Sequence, residues 1–398
     1  MVPTIRKQFN ESFTESGYEQ YLAELNEKFK GAIEFRVAET PIFIDKIFKE
    51  KILSACESIV DVIVQPNFIE LTNHAIPANV AVPNQNNRTH FIAFDFGICE
   101  NEHGELEPQL IEMQGFPTLF AYQIWQDLIC RKHADIPTNY SCYLNGFNTE
   151  SYIDLLKEII VGKHAPEEVV LLELFPHQQK TRIDFYFTAE YTGISVVCLT
   201  ELIKEGDDLF YMKDQQKIQI KRIYNRVIFD DLQQQTTEIQ ERGKILFETL
   251  NVEWIPHPNW FYRISKYTLP FINHPYVPTT WFLNELKQVP DDLENYVLKP
   301  LFSFAGQGVV IDVTQKDIEL VKDPENWILQ KKVKYAAVIN TPNEPAKAEL
   351  RIFYFWKEGD ARPIATNNLA RLSKGKMIGV RYNQDKDWVG GSLAYFEI

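Results

Sequence analysis

Two short apolar runs, VVLLELF (169–175) and ISVVCLT (194–200), limit what the middle of this chain can form. Both have the length and apolar character of buried β-strands. The residues between them, KTRIDFYFTAEYTG (180–193), have a helical pattern that ends at Gly193. Two buried strands joined by a helix predict a right-handed βαβ unit and a local parallel sheet.

The residues before this unit have a different pattern. FIAFDFGICENEHGELEPQLIEMQ (91–114) alternates apolar and polar residues on both sides of a polar turn at His103-Gly104, which predicts a β-hairpin. GFPTLFAYQIWQDLIC (115–130) then predicts a turn into a helix with Thr118 as the N-cap residue.

The length of the chain sets the number of domains. At about 150 residues per domain, 398 residues are enough for two or three domains. We predict an α+β (mixed α/β) fold. It consists of an N-terminal segment (1–130) with the hairpin, a Rossmann-like α/β domain (131–255) and a C-terminal region (256–398).

Composition excludes some classes of function and location. A formal net charge of −14 argues against non-specific nucleic-acid binding, which needs a basic surface. Five widely spaced cysteines without a CxxC motif favour reduced thiols and a cytoplasmic location. The N-terminal residues show no apolar signal segment, and no apolar run is long enough to span a membrane. We therefore expect neither nucleic acid nor membrane as a partner, and the sequence leaves the oligomeric state open.

A glycine-containing loop follows the strand-like run that ends in VLKP (297–300). The loop reads LFSFAGQG (301–308), and a second β-branched run comes after it. Glycines let a phosphate approach backbone N–H groups, but they serve equally well in an ordinary hairpin turn. The loop is not a Walker A motif, because GK[ST] is missing. Lys299 places a positive charge beside the loop and favours a phosphate-covering flap.

The order of elements around this loop resembles the ATP-grasp superfamily. The elements are Lys266, HPYVPTT (274–280), KPLFSFAGQG (299–308), Gln330, ELR (349–351) and NLAR (368–371). FDF (94–96) with LIEMQGFPTLF (110–120) resembles the acidic motif of the circularly permuted members, the glutathionylspermidine synthetases and eukaryotic glutathione synthetases. The resemblance implies that the hairpin in 1–130 joins an ATP-grasp core, that 131–255 forms the substrate domain, and that 256–398 binds the nucleotide.

The resemblance also implies cofactors and site residues. ATP and Mg²⁺ would be the cofactors, with Asp95, Glu112 and Gln114 as metal ligands. Arg351 and Arg371 would contact transferred phosphate or substrate, and Arg226 of RIYNR (222–226) would hold a substrate carboxylate. The implied nucleotide-binding residues are Lys266, Lys299, Ser303, Gly306, Gln307, Gly308, Gln330 and Lys331.

The hairpin register gives an independent reason to group the metal-binding candidates. Glu112 and Gln114 are two residues apart on a strand and so share a face. A hairpin that turns symmetrically at His103-Gly104 places Asp95 directly opposite Glu112. A slip of one residue would move Asp95 to the other face, leaving an exposed hairpin with ordinary acids.

The implied reaction is an ATP-dependent ligation of a small-molecule or peptide carboxylate to an amine through an acyl phosphate. Three positions depart from the related synthetases. Gln114 stands in place of Asn, Leu301–Phe304 lack the loop glutamate, and Ala93 replaces an arginine. Two alternatives therefore stay open: a catalytically altered accessory protein that binds nucleotide or peptide, and an ATP-grasp phosphotransferase.

Overall fold

The computed structural model describes residues 2–302, 308–375, 378, 383 and 385–398, and shows the predicted α+β fold. The α-helices are α1 (Pro3–Ser12), α2 (Glu15–Leu25), α3 (Lys46–Ile63), α4 (Phe68–Leu71), α5 (Tyr122–His133), α6 (Thr149–Val161), α7 (Arg182–Thr192), α8 (Phe229–Gln233), α9 (Thr237–Gly243), α10 (Asn259–Arg263) and α11 (Gln315–Glu319). The strands are β1 (Ile42–Ile44), β2 (Phe91–Glu100), β3 (Leu106–Gln114), β4 (Tyr140–Ser141), β5 (Val169–Glu173), β6 (Ser195–Cys198), β7 (Ile203–Glu205), β8 (Asp208–Lys213), β9 (Gln216–Ile220), β10 (Arg222–Asn225), β11 (Glu253–Ile255), β12 (Thr280–Phe282), β13 (Tyr296–Pro300), β14 (Trp327–Lys331), β15 (Lys347–Phe355), β16 (Ile364–Ser373), β17 (Gly390–Ser392) and β18 (Ala394–Glu397).

The largest sheet joins distant parts of the chain. Its five antiparallel strands have the order β17-β16-β15-β2-β3, so the N-terminal hairpin pairs with C-terminal strands. One face of β15 is wholly apolar and packs in the core through Ala348, Leu350, Ile352 and Tyr354. The opposite face changes along the strand from aromatic (Phe353, Phe355) to charged (Glu349, Arg351). The sheet thus supports a hydrophobic core and a polar site on the same strands.

A second sheet has four parallel strands in the order β11-β10-β5-β6. Helix α7 lies between β5 and β6 in the chain, as the βαβ prediction requires. Every residue of β5 is buried, which explains its unbroken apolar run. The parallel sheet lies within residues 131–255, while the boundaries of the three segments stay a prediction.

Three smaller sheets complete the fold, with the orders β12-β14-β13, β7-β8-β9 and β1-β18-β4. Beyond β13, Val310 pairs with Leu298 through two backbone hydrogen bonds of 2.9 and 3.0 Å, so the chain returns along the strand that carries Lys299. Residues 303–307 of the intervening loop lie outside the described residues. In the described part of the chain, no helix combines the length and apolarity needed to cross a membrane.

The N-terminus of α5 corrects the prediction for Thr118, which does not cap this helix. The carboxylate of Asp184, on α7, instead accepts hydrogen bonds from the backbone N–H groups of Ala121 (2.8 Å) and Tyr122 (2.9 Å). Asp184 is fully buried, and burial raises its pKa to about 6. A side chain from another helix therefore satisfies donors that would otherwise lack a partner.

We expect Asp184→Ala to lower the free energy of unfolding by about 2–4 kcal/mol, because two buried N–H groups lose their acceptor. Asp184→Asn keeps an oxygen at that position and should cost clearly less. Urea unfolding of both variants near pH 7 measures the difference. Equal losses would show that the charge, rather than the acceptor, stabilises the start of α5.

Candidate functional site

An ionic cluster lies on the charged face of the five-stranded sheet. The carboxylate of Asp95 accepts hydrogen bonds from Nε and Nη2 of Arg351, each at 2.6 Å, in a bidentate pair. Its Oδ2 also accepts from Arg371 Nη2 at 2.7 Å. Asp95 is only 2% exposed, so two guanidinium groups neutralise one buried carboxylate.

Strand register places these groups side by side. Asp95 pairs with Arg351 across β2 and β15, and Glu349 pairs with Arg371 across β15 and β16. Asp95 also lies opposite Glu112, as predicted. This pairing does not arise in the predicted way. Near the turn the strands pair one residue out of the predicted register, and a bulge at Ile111 restores the pairing of Asp95 with Glu112. Without the bulge, the turn register would place Asp95 opposite Ile111.

Glu349 forms the other end of the cluster. It is 4% exposed, forms an ion pair with Arg371 and accepts a hydrogen bond from the Tyr335 hydroxyl at 3.0 Å. Tyr335 reaches Glu349 across Gly97, where an added Cβ would lie only 2.6 Å from the tyrosine ring. Because Gly97 has no side chain, the Tyr335 ring has room to pack there and its hydroxyl can hold Glu349 in position.

The pKa values reflect this pairing. Burial alone would raise the pKa of Asp95, but Arg351 and Arg371 outweigh burial and hold it below its ordinary value. For Glu349 burial prevails over the attraction of Arg371, and its pKa is raised. The four charges sum to zero, so the cluster is balanced without a ligand.

Thr118 connects this cluster to the parallel sheet. Its hydroxyl accepts a hydrogen bond from Arg351 Nη1 at 3.1 Å, and its carbonyl oxygen accepts from Arg226 Nη1 at 3.5 Å. The Arg226 guanidinium lies 5.4 Å from the ring centroid of Phe116 and 5.2 Å from that of Phe185. The structure thus brings the three predicted arginines to one region.

Two predicted lysines lie on the other side of β3. Lys299 Nζ donates to Gln330 Oε1 at 2.5 Å and to the Ile111 carbonyl at 3.3 Å, and Gln330 donates in turn to Thr280 at 3.0 Å. Burial lowers the pKa of Lys299 to about 8, although Glu112 acts in the opposite direction. Lys266 is 6% exposed, and burial lowers its pKa as well.

A small open cleft lies beside Lys266. Its walls include Glu112, Gln114, Asp230, Lys266 and Phe302. Glu112 is exposed there, in contrast to Asp95 across the hairpin. The cleft therefore combines a buried cation with accessible carboxylates.

The three proposed metal ligands lie together but differ in availability. Both oxygens of Asp95 are bound to arginines, and the Gln114 amide oxygen, oriented toward Arg351, accepts from it at 2.8 and 3.1 Å. Of these three residues, Glu112 is the one whose carboxylate is exposed at the cleft. Among the described residues, no group of three or more His, Cys, Asp or Glu side chains could hold a metal ion. The structure does not support a preformed metal site.

The remaining predicted positions have mixed outcomes. Gln330 is buried against Lys299, whereas Lys331 is exposed at the end of β14. Gly308 has φ +74°, a conformation that favours glycine. Ser303, Gly306 and Gln307 lie outside the described residues.

Several residues of the site were not predicted, namely Glu349, Tyr335, Thr118, Glu173 and Asp230. Glu349 was detectable, because it alternates with Arg351 in KAELR (347–351). Glu173 was not detectable, because in the sequence it is only the end of an apolar run. It comes close to the charge of Arg226 only when β5 and β10 pair in parallel in the folded chain. Carboxyl ends of neighbouring parallel strands form a common binding edge.

Comparisons with known proteins support the fold and nothing finer. No protein-family model and no curated protein matches the sequence. Among solved structures, a glutathione synthetase-like effector (GSS30) from Globodera pallida, in apo form, matches with a TM-score of 0.59 and 9% identity, covering 100% of this chain and 99% of that chain. The chain therefore has a glutathione synthetase-like fold.

The ionic cluster yields a stability prediction. Asp95→Asn leaves Arg351 without its buried counter-charge and Arg371 with Glu349 alone, so we expect a loss of about 3–5 kcal/mol in the free energy of unfolding. Glu112→Gln, on the directly opposite and exposed position, should change it by less than about 0.5 kcal/mol. Urea titration measures both, and similar small losses would contradict a structural role for Asp95.

Glu173 yields a pH prediction. Burial raises its pKa to about 8 from 4.5, with Arg226 opposing, so the folded chain keeps a proton that the unfolded chain has lost. Stability should therefore fall as pH rises from about 4.5 to 8. At about 1.4 kcal/mol per pKa unit, the penalty reaches a few kcal/mol at pH 8.

Glu173→Gln should remove this penalty, making the variant more stable than the wild type at pH 8.5 and nearly equal to it at pH 4.5. Urea unfolding at the two pH values measures the change. Glu167→Gln, an exposed control on the same segment, should follow the wild-type profile. A Glu173→Gln curve parallel to the wild type would rule out the raised pKa.

Proposed function

We propose that this chain is an ATP- and Mg²⁺-dependent carboxylate–amine ligase of the ATP-grasp type, acting through an acyl phosphate. The observation that carries the proposal is that Lys266 and Glu112 line one cleft, with Lys299 close enough to both for their charges to act on its pKa. Burial disfavours the charged form of both lysines. An anionic phosphate chain would supply the compensation that the protein provides only in part.

The nucleotide would lie along β13 and β14. Lys299 is already oriented by Gln330 and the Ile111 carbonyl, so phosphate binding needs little reorganisation of this side chain. The exposed Lys331, next to Gln330, would border the adenine. ATP supplies the phosphoryl group that activates a carboxylate, and the chain contributes orientation and charge compensation.

The magnesium ion fits this site through one carboxylate. Mg²⁺ commonly takes one or two carboxylates and completes its octahedron with phosphate oxygens and water. Glu112 has the required exposure, whereas Asp95 and Gln114 are bound to Arg351. We therefore assign Glu112 the ligand role, and assign Asp95 and Gln114 the role of positioning Arg351.

The acid substrate would bind between the two sheets. All three side-chain nitrogens of Arg351 donate hydrogen bonds to Asp95 or Thr118. We therefore assign Arg351 a positioning role and no contact with a ligand. Arg371 is more available, because its Nε has no acceptor among the described residues and the side chain is 35% exposed. The buried Nε of Arg226 likewise lacks an acceptor within that part of the chain. These two arginines suit a substrate carboxylate or a transferred phosphate.

A second candidate is a non-catalytic accessory protein that binds nucleotide or peptide. Ala93 favours it, because the residue is fully buried in an aromatic cluster with Phe91, Phe120 and Phe353. The resemblance implies an arginine at this position, and the alanine supplies no cation there. A third, an ATP-grasp phosphotransferase, would use the same lysines on a different acceptor.

Binding of ATP with Mg²⁺, measured by calorimetry, tests the lysine site. We expect Lys299→Met to weaken it at least about tenfold, because a positive charge beside the phosphates is lost. Lys334→Met, an exposed lysine paired with Glu100, is the matched control and should bind like the wild type. Undetectable binding by the wild type, or equal binding by both variants, would refute the proposal.

Product analysis separates the three candidates. ADP release that depends on both an acid and an amine supports the ligase. ADP release with a phosphorylated product and no amide supports the phosphotransferase, and nucleotide binding without ADP release supports the accessory protein.

A further inference from the structure

A second cavity, of about 90 Å³, lies where α1, α2 and α5 meet. The loop before β1 and the residues leading into β18 complete its walls. None of its lining residues belongs to the candidate nucleotide site.

Aromatic side chains form a continuous series along this cavity. Ring centroids are 6.3 Å apart for Phe13 and Tyr18, 6.5 Å for Tyr18 and Tyr21, and 6.0 Å for Tyr21 and His133. Aromatic faces carry partial negative charge and attract cations. The cavity therefore resembles an aromatic cage in chemistry.

Glu39 adds a buried negative charge to the wall. Its side chain is only 5% exposed, and one carboxylate oxygen pairs with Arg36. The other oxygen, Oε2, has no hydrogen-bond partner among the described residues. Burial raises the pKa of Glu39, against the opposing effects of the Trp388 backbone and of Arg36.

The same cavity offers little to an anion. Among the described residues that line it, none is lysine or arginine, and His133 is already bound to Glu24 at 2.7 Å. The nearby N-terminus of α2 is already capped, because Thr14 Oγ1 accepts from the backbone N–H of Gly17 at 3.1 Å. The Tyr18 hydroxyl donates to the Val37 carbonyl at 2.6 Å.

We propose that this cavity binds a small N-methylated ammonium ion. A primary ammonium needs up to three acceptors, and the polar groups here are largely engaged with the protein. A methylated ammonium needs few acceptors, is weakly hydrated and gains from aromatic faces near a carboxylate. This site is separate from the proposed ATP cleft and does not depend on it.

Choline and its neutral isostere 3,3-dimethyl-1-butanol provide the test, because the two differ in charge and hardly in shape. Calorimetry on the full chain should show choline binding at least about tenfold more tightly than the alcohol. Glu39→Gln should weaken choline binding about tenfold or more and leave the alcohol unaffected. Glu319→Gln, an exposed glutamate outside the cavity, should bind choline like the wild type.

A pair of ring variants keeps the test decisive if Glu39→Gln does not fold. Tyr21→Leu removes an aromatic face and should weaken choline binding, whereas Tyr21→Phe keeps the ring and should retain it. Urea unfolding verifies that each variant is folded. Absence of choline binding at millimolar concentration, equal affinity for choline and the alcohol, or equal binding by the two Tyr21 variants would overturn the proposal.

Discussion

The contact between Asp95 and the guanidinium groups of Arg351 and Arg371 is the interaction on which the polar half of the structure depends. In the chain, Asp95 precedes Arg351 by 256 positions and Arg371 by 276 positions, so this contact joins distant parts of the sequence. A buried carboxylate is costly to desolvate and is stable here only because two cations face it. A slip of one residue between β2 and β15 would send Asp95 into the apolar core, deprive Arg351 of its counter-charge and leave Arg371 with Glu349 alone. The ionic contact and the core therefore specify the same register.

Because of this pairing, the site has two regions that differ in how far their charges are compensated. Around Asp95 the charges of two carboxylates and two guanidinium groups cancel. Around the cleft, burial disfavours the charges of Lys266 and Lys299, and Glu112 is exposed. A bound anion is therefore stabilised most beside the two lysines. The ion pairs around Asp95 mainly hold Arg371 in position.

The sequence allowed the local parts of this arrangement to be predicted. Alternation in residues 91–114 gave the β-hairpin, and the apolar run at 169–175 gave a parallel strand. The pairing of Asp95 with Glu112 was correct only because the bulge at Ile111 offset an error in the assumed turn. Bulges depend on packing between strands and leave no reliable local pattern. The cap of α5 by Asp184 was beyond prediction for the same reason, since it joins two helices that meet only in the folded chain.

Ala93 limits what the glutathione synthetase-like fold implies about the reaction of this chain. The residue lies opposite both Gln114 and Phe353, and it belongs to the aromatic half of the sheet face, two residues from the charged half. An arginine there would need space and a counter-charge, and the neighbouring Asp95 is already neutralised by two guanidinium groups. Restoring the arginine alone would therefore add an unpaired buried charge to a balanced cluster. Any ligase chemistry in this chain would have to draw its positive charge from Lys266, Lys299, Arg226 and Arg371, because Ala93 supplies no cation to the site.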